Sequence, residues 1–190
     1  TELKKAKNSL HKQEELLRTL INSTPDIICF KDGQGRWLEA NDADLKLFQL
    51  DNVDYRGKKD SELAKYSDFY YDAFMTCEAT DEIAWQKGEI SRGVEIIPKP
   101  DGSKKVYDVI KAPLFNEDGS RKGLVVLGRD ITEMKQKEEA LRESEERYKK
   151  SSTLYRLMAD NIPDMVWAKD HEGKYLFTNK AICEKLLIAK

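Results

Sequence analysis

Leu3, Leu10 and Leu17 recur every seven residues, with Ala6 and Leu20 on the interleaved positions, so the chain opens on the a/d seam of a coiled-coil helix. Gln13 takes the remaining interleaved position and weakens that seam. Ser23-Thr24-Pro25 ends the helix, because proline disfavours helical geometry in the residue before it. Residues 27–31 are apolar on both alternating faces and predict a strand. Asp32-Gly33-Gln34-Gly35 then turns the chain into a second strand over residues 36–40, which makes a hairpin. Asn41 reads as the N-cap of a short helix carrying Ala43, Leu45, Leu47 and Phe48, followed by a less regular stretch to about Ser67.

Residues 69–87 predict a longer helix, with Phe69, Ala73, Thr76, Thr80 and Ile83 along one stripe and Gly88 as its C-terminal cap. After it the period shortens. Residues 90–97, 104–115 and 121–131 read as three strands, joined by the turn-forming clusters Pro100-Asp101-Gly102 and Asn116-Glu117-Asp118-Gly119. The expected fold class is therefore α+β: an antiparallel sheet with its helices gathered on one face.

The last strand hands over to a helix at Asp130-Ile131-Thr132-Glu133, where an acidic cap with Glu three residues later resembles a capping box. Along that helix Glu133/Lys137, Glu138/Arg142, Glu143/Arg147, Glu145/Lys149 and Glu146/Lys150 stand four apart. Each such pair contributes about 0.2–0.5 kcal/mol, so the helix can persist in water. Met134, Leu141, Tyr148 and Tyr155 repeat every seven residues without a second seam, so self-association through this helix is expected to be weak.

Sliding the sequence on itself by 138 positions lays residues 16–50 over residues 154–188 without a gap, with ten identities that include Pro25/Pro163, Lys31/Lys169, Asp32/Asp170, Gly35/Gly173 and Asn41/Asn179. The organisation expected is a coiled-coil-like helix over residues 1–22, a complete domain over 23–132, a helical connector over 133–153 and the truncated start of a second copy over 154–190.

Composition narrows the function. Basic and acidic side chains number 33 and 35, so no field of one sign exists to attract nucleic acid, and no nucleic-acid partner is expected. Cys29, Cys77 and Cys183 are odd in number and far apart, which suits a reducing compartment. No stretch reaches the roughly 18 apolar residues of a membrane span, and no secretory pattern opens the chain. A cytoplasmic placement is expected, with the parent chain free to be membrane-attached. The missing initiator Met and the mid-pattern finish at Lys190 lead us to expect a segment of a longer chain.

Several of these features together resemble the PAS sensory family, in the form that carries a C-terminal PAC portion. They are Pro25-Asp26, Lys31-Asp32 with Gly35, Asn41 heading the short helix, Pro113-Leu114-Phe115 before Asp118-Gly119, and Asp130-Ile131-Thr132 at the exit. Met134-Lys135 through Arg147-Tyr148 is similar to the connector between tandem units of that family. The resemblance implies a five-stranded antiparallel sheet with helices over one face, a pocket for a small ligand, homodimerisation through the flanking helices, and a junction fixed by Asp130, Ile131 and Thr132 that relays a signal. On this reading the parent is a sensor histidine kinase of a two-component phosphorelay. The alternatives are a ligand-free dimerisation and spacing module, or the sensor of a diguanylate cyclase.

Phe30, Trp37, Phe74, Cys77, Trp85 and Tyr107 are the candidate ligand-lining residues, although packing is the commoner fate of such side chains. His11 and His171 lie outside the long helix where heme-binding members of the family place an iron ligand, so a histidine-ligated heme is not expected. Cys77 lacks the Asn-Cys-Arg signature of the flavin photoreceptors, so a cysteinyl flavin is not expected either. The cofactor is left unknown, and no metal ligand or catalytic residue is expected. The chain shows no phosphate-binding loop, zinc-spaced His/Glu pair or nucleophile elbow.

Overall fold

The computed structural model of the chain describes residues 2–186. The side chain of Leu3 and the far end of the internal repeat, at residues 187–188, lie outside the described residues. The chain divides into two compact units, residues 1–135 and 136–190.

The first unit opens with helix α1 (Glu2–Asn22), and its seam residues Leu10, Leu17 and Leu20 are exposed. Strands β1 (Ile27–Asp32) and β2 (Trp37–Ala40) form the expected hairpin. Its turn is tied locally: Asp32 Oδ1 accepts from the backbone N–H groups of Gln34 and Arg36 at 2.8 and 2.9 Å. Gly33 is required there because a Cβ would stand 2.1 Å from the carbonyl oxygen of Arg121. Short helices α2 (Asp42–Leu47) and α3 (Asp60–Leu63) follow, and two single turns of 3₁₀ helix lead into α4 (Tyr71–Lys87). Gly88 caps α4 in the left-handed conformation at φ +69°, where a side chain would be strained. The meander β3 (Ser91–Pro98), β4 (Lys104–Phe115) and β5 (Arg121–Asp130) completes a five-stranded antiparallel sheet of order β2-β1-β5-β4-β3.

The face that α4 buries differs from the expected stripe. Phe69 falls in the preceding 3₁₀ turn and is exposed, as is Ile83, while Phe74, Asp81, Ala84 and Trp85 are buried. Counting apolar residues placed the stripe wrongly because the true core face of α4 carries a carboxylate, and hydropathy assigns a carboxylate to water.

Asn41 fastens the entry to this unit. Fully buried, it accepts at Oδ1 from the N–H groups of Ile28 and Asp44 at 3.0 and 3.2 Å, and donates from Nδ2 to the carbonyls of Ile21 and Asp26 at 2.9 and 2.8 Å. One side chain thus joins the end of α1, the start of β1 and the first turn of α2. Asn41→Ala strands buried backbone groups, and a loss of about 2–3 kcal/mol is expected in urea unfolding. A change under about 0.5 kcal/mol would show that water replaces these bonds.

The second unit contains the end of the long helix α5 (Thr132–Asp160), a two-stranded hairpin of β6 (Trp167–Lys169) and β7 (Tyr175–Thr178), and helix α6 (Lys180–Leu186). Its internal bonds repeat those of the first. Asn179 accepts from the N–H of Val166 at 3.0 Å and donates to Ala159 and Asp164, while Asp170 Oδ1 accepts from Glu172 and Lys174. Each of these partners stands 138 positions after its counterpart in the first unit. Lys31 lies 5.4 Å from the ring of Trp37, and the matched pair Lys169 and Tyr175 are 4.3 Å apart. Among the described residues no helix is long and apolar enough to cross a membrane.

Candidate functional site

The helical face of the sheet holds a buried charge cluster. Alternation along β1 turns Ile27, Cys29 and Lys31 inward, and the same parity along β4 turns Tyr107, Val109 and Lys111 inward. Both strands therefore place a lysine in the core. Burial alone would push either ammonium down, and the structure offsets this with carboxylates. Lys31 Nζ donates to Asp60 Oδ2, from the first turn of α3, and to Asp81 Oδ2, from α4, both at 2.5 Å. Lys111 Nζ reaches Asp81 Oδ1 at 2.7 Å, Thr80 Oγ1 at 2.5 Å and Glu95 Oε1, from β3, at 3.2 Å.

Asp81 is the bridge, one oxygen to each lysine. Despite burial, the facing carboxylates hold Lys31 well above the usual lysine range and also raise Lys111, so both remain charged. Asp60 also accepts from Trp37 Nε1 at 3.1 Å; burial raises its pKa, and Lys31 opposes that shift.

The same space contains Asp44 of α2, only 2% exposed, whose Oδ1 has no hydrogen-bond partner. Burial pushes this carboxyl up to about 8 against the pull of Lys31, so it is a neutral acid at pH 7. Between these groups lies a cavity of about 20 Å³, touched by Lys31, Trp37, Asp44, Cys77 and Glu95. That is room for about one water-sized occupant.

The candidate residues named from sequence are dispersed. Trp37 and Cys77 reach the cavity. Phe74 packs behind Trp37, with ring centroids 6.4 Å apart, and against Phe48 at 4.6 Å. Tyr107 is buried one strand over, opposite Glu95 in the β3–β4 register. Trp85 lies elsewhere, edge-on to Phe115 at 5.6 Å and under the Arg121 guanidinium, beside an open groove of about 370 Å³ that also touches Asp60 and Asp81. Phe30 has the opposite parity to Cys29 and Lys31 and lies on the far face of the sheet. Burial raises the Cys77 thiol, which donates to Glu95 Oε2 at 3.7 Å and so stays protonated. Among the described residues no His, Cys, Asp and Glu group is arranged to hold a metal ion.

Sequence reasoning overlooked Lys31, Asp44, Asp60, Asp81, Glu95 and Lys111. A signal existed for two of them: Lys31 and Lys111 share strand parity with apolar core positions.

The exit junction is built from Asp130, Ile131 and Thr132. Val106 of β4 offers its carbonyl to the N–H of Ile131 at 2.8 Å, and its N–H to Thr132 Oγ1 at 2.9 Å. Asp130 Oδ1 accepts from the Thr132 N–H at 2.9 Å and from its hydroxyl at 2.5 Å, while Oδ2 accepts from Lys105 Nζ at 2.5 Å. Partial burial would raise this carboxyl, but the bonds from Lys105 and Thr132 outweigh it and hold it below the usual aspartate range. The first turn of α5 is thereby fixed to both β4 and β5.

Comparison with known proteins places this arrangement. A family model described as the PAS fold matches residues 21–136. The aerobic respiration control sensor protein ArcB of Escherichia coli K12 is 28% identical over 132 residues, 68% of this chain and 16% of ArcB. The methanogenesis regulatory histidine kinase FilI of Methanothrix harundinacea is 23% identical over 128 residues, 65% of this chain and 13% of FilI. The chain thus spans less than a fifth of the length of these relatives. Among solved structures, the PAS domain of BvgS from Bordetella pertussis superposes with a TM-score of 0.50 at 22% identity, over 72% of this chain and 98% of that one.

Proposed function

The chain belongs to the PAS fold family, and on that premise we propose that residues 23–132 form a sensory and relay unit whose output leaves through α5. The observation that carries this reading is the junction: Val106, Asp130, Ile131 and Thr132 join the last strand to the exit helix without a flexible step. Val126, earlier on β5, touches the core cavity. A shift of β5 caused by an occupant is therefore delivered to the first turn of α5. An occupant can bias the sheet only by its differential affinity for two arrangements.

Similarity to the named sensor protein and histidine kinase supports a histidine kinase as the parent, with the output domain elsewhere in that chain. Residues 154–190 then represent the start of a second unit, and the exposed leucines of α1 supply a homodimer seam.

The test is Asp130→Ala in the full-length parent. This change removes the acceptor for Thr132 and Lys105, and at least a tenfold loss of signal-dependent output is expected, with the folded protein retained. An unchanged response would sink the relay role.

A second reading, a ligand-free dimerisation and spacing module, is favoured by one observation: the cavity is only about 20 Å³. Native against denatured mass spectrometry separates the two. An extra mass released on denaturation supports the sensory reading, and a clean dimeric apoprotein supports the spacer.

A further inference from the structure

The charges that face the core cavity do not balance. Lys31 and Cys29 come from β1, Asp44 from α2, Asp60 from α3, Cys77 and Asp81 from α4, Glu95 from β3 and Lys111 from β4. Tyr107 of β4 also senses the charge of Asp44. Two ammonium groups meet three carboxylates through direct contacts of 2.5–3.2 Å before Asp44 is counted, so the cluster is short of positive charge. Asp44, 2% exposed, adds a fourth acid whose Oδ1 receives no hydrogen bond. The cavity therefore borders on an acceptor without a donor, inside a cluster without its full complement of cations. A water molecule would supply the donor and leave the charge uncorrected; a small cation bearing N–H groups would supply both.

We propose that this cavity binds a small N–H-bearing cation of the size of ammonium or methylammonium, with Asp44 as the group that accepts from it. The proposal rests on the reading of this unit as a sensor and names the chemical class of its ligand. The cavity volume of about 20 Å³ admits one such head group. Lys31 faces the same space, but its charge is already compensated by Asp60 and Asp81.

Because burial holds the Asp44 carboxyl at about 8, the cation takes the place of a proton. Binding should therefore weaken by up to about tenfold for each pH unit below that value.

The experiment is thermal unfolding of the intact chain in ammonium chloride or methylammonium chloride, against sodium chloride and tetramethylammonium chloride at equal ionic strength, at pH 6.5 and pH 8. Ammonium and methylammonium should raise Tm above both references, more at pH 8, and the increment should vanish in Asp44→Asn. Asparagine has the shape of the protonated acid, so the variant should fold, as its circular dichroism would show. Should it not fold, the wild-type comparison of the four salts at two pH values decides alone. Equal Tm in all four salts, or an ammonium increment that survives in Asp44→Asn, overturns the proposal. Such a failure alongside a different retained mass in native mass spectrometry would leave the sensory reading standing; a clean apoprotein would remove both.

Discussion

Replacing Asp81 by alanine is expected to cost about 3–5 kcal/mol of folding stability, the range seen when one partner of a buried ion pair is removed. Asp81 is 4% exposed and spans the two core lysines with contacts of 2.5 and 2.7 Å, so its loss leaves both ammonium groups short of an anion where water cannot replace it. Against a typical domain stability of about 5–15 kcal/mol, that loss is enough to leave a marginal protein partly unfolded. Urea titration should show a lower midpoint at unchanged slope. Asp81→Asn keeps the shape and loses the charge, so it should fall between wild type and alanine. A double-mutant cycle of Asp81→Asn with Lys111→Met should then return a coupling well above 1 kcal/mol. Coupling near zero would mean that solvent reaches the cluster and screens it.

Asp44→Asn should move stability the other way. The folded-state value of about 8 lies above the 3.8 of an ordinary aspartate, so the folded protein holds a proton that the unfolded chain releases at neutral pH. The stabilisation from that proton is fully present below about pH 4, declines as pH rises from there to about 8, and is gone above it. Asparagine needs no proton to stay neutral. At pH 8 the variant should exceed wild type by several kcal/mol, with roughly 5 kcal/mol as an upper bound from a shift of this size. Near pH 4 the two should converge. Urea midpoints at half-unit steps of pH would check this. If the wild-type advantage from protonation is absent, so that both proteins follow parallel curves between pH 4 and pH 8, Asp44 is ionised in the fold and has a donor.

Two aspartates on the same core face thus carry opposite expectations. What separates them is partners: Asp81 has two lysines, and Asp44, beside the small core cavity, has a buried carboxyl oxygen that receives no hydrogen bond. An additional cation at Asp44 would convert it to the situation of Asp81, which is the physical content of the ligand proposed above.

Local chemistry was legible in the chain. The turn at Asp32, the cap at Asn41, the glycine at the end of α4 and the run of three long strands all follow from backbone groups that must be satisfied within a few residues, or from strand alternation. The internal repeat was legible for the same reason: Asn41 and Asn179 each meet the same local set of donors and acceptors. With these came the family and the antiparallel α+β fold.

Tertiary structure alone decided what fills the core. Lys31, Asp44, Asp60, Asp81, Glu95 and Lys111 come from six different elements, and a charged residue read by itself is assigned to water. Only when β1 and β4 lie in one sheet beneath α4 do their charges compensate one another, which is the condition for burying them. The same stacking separated Phe30 and Trp85 from Trp37 and Cys77, because a side chain's parity and its neighbours in the assembled sheet, not its aromatic character, determine which space it borders.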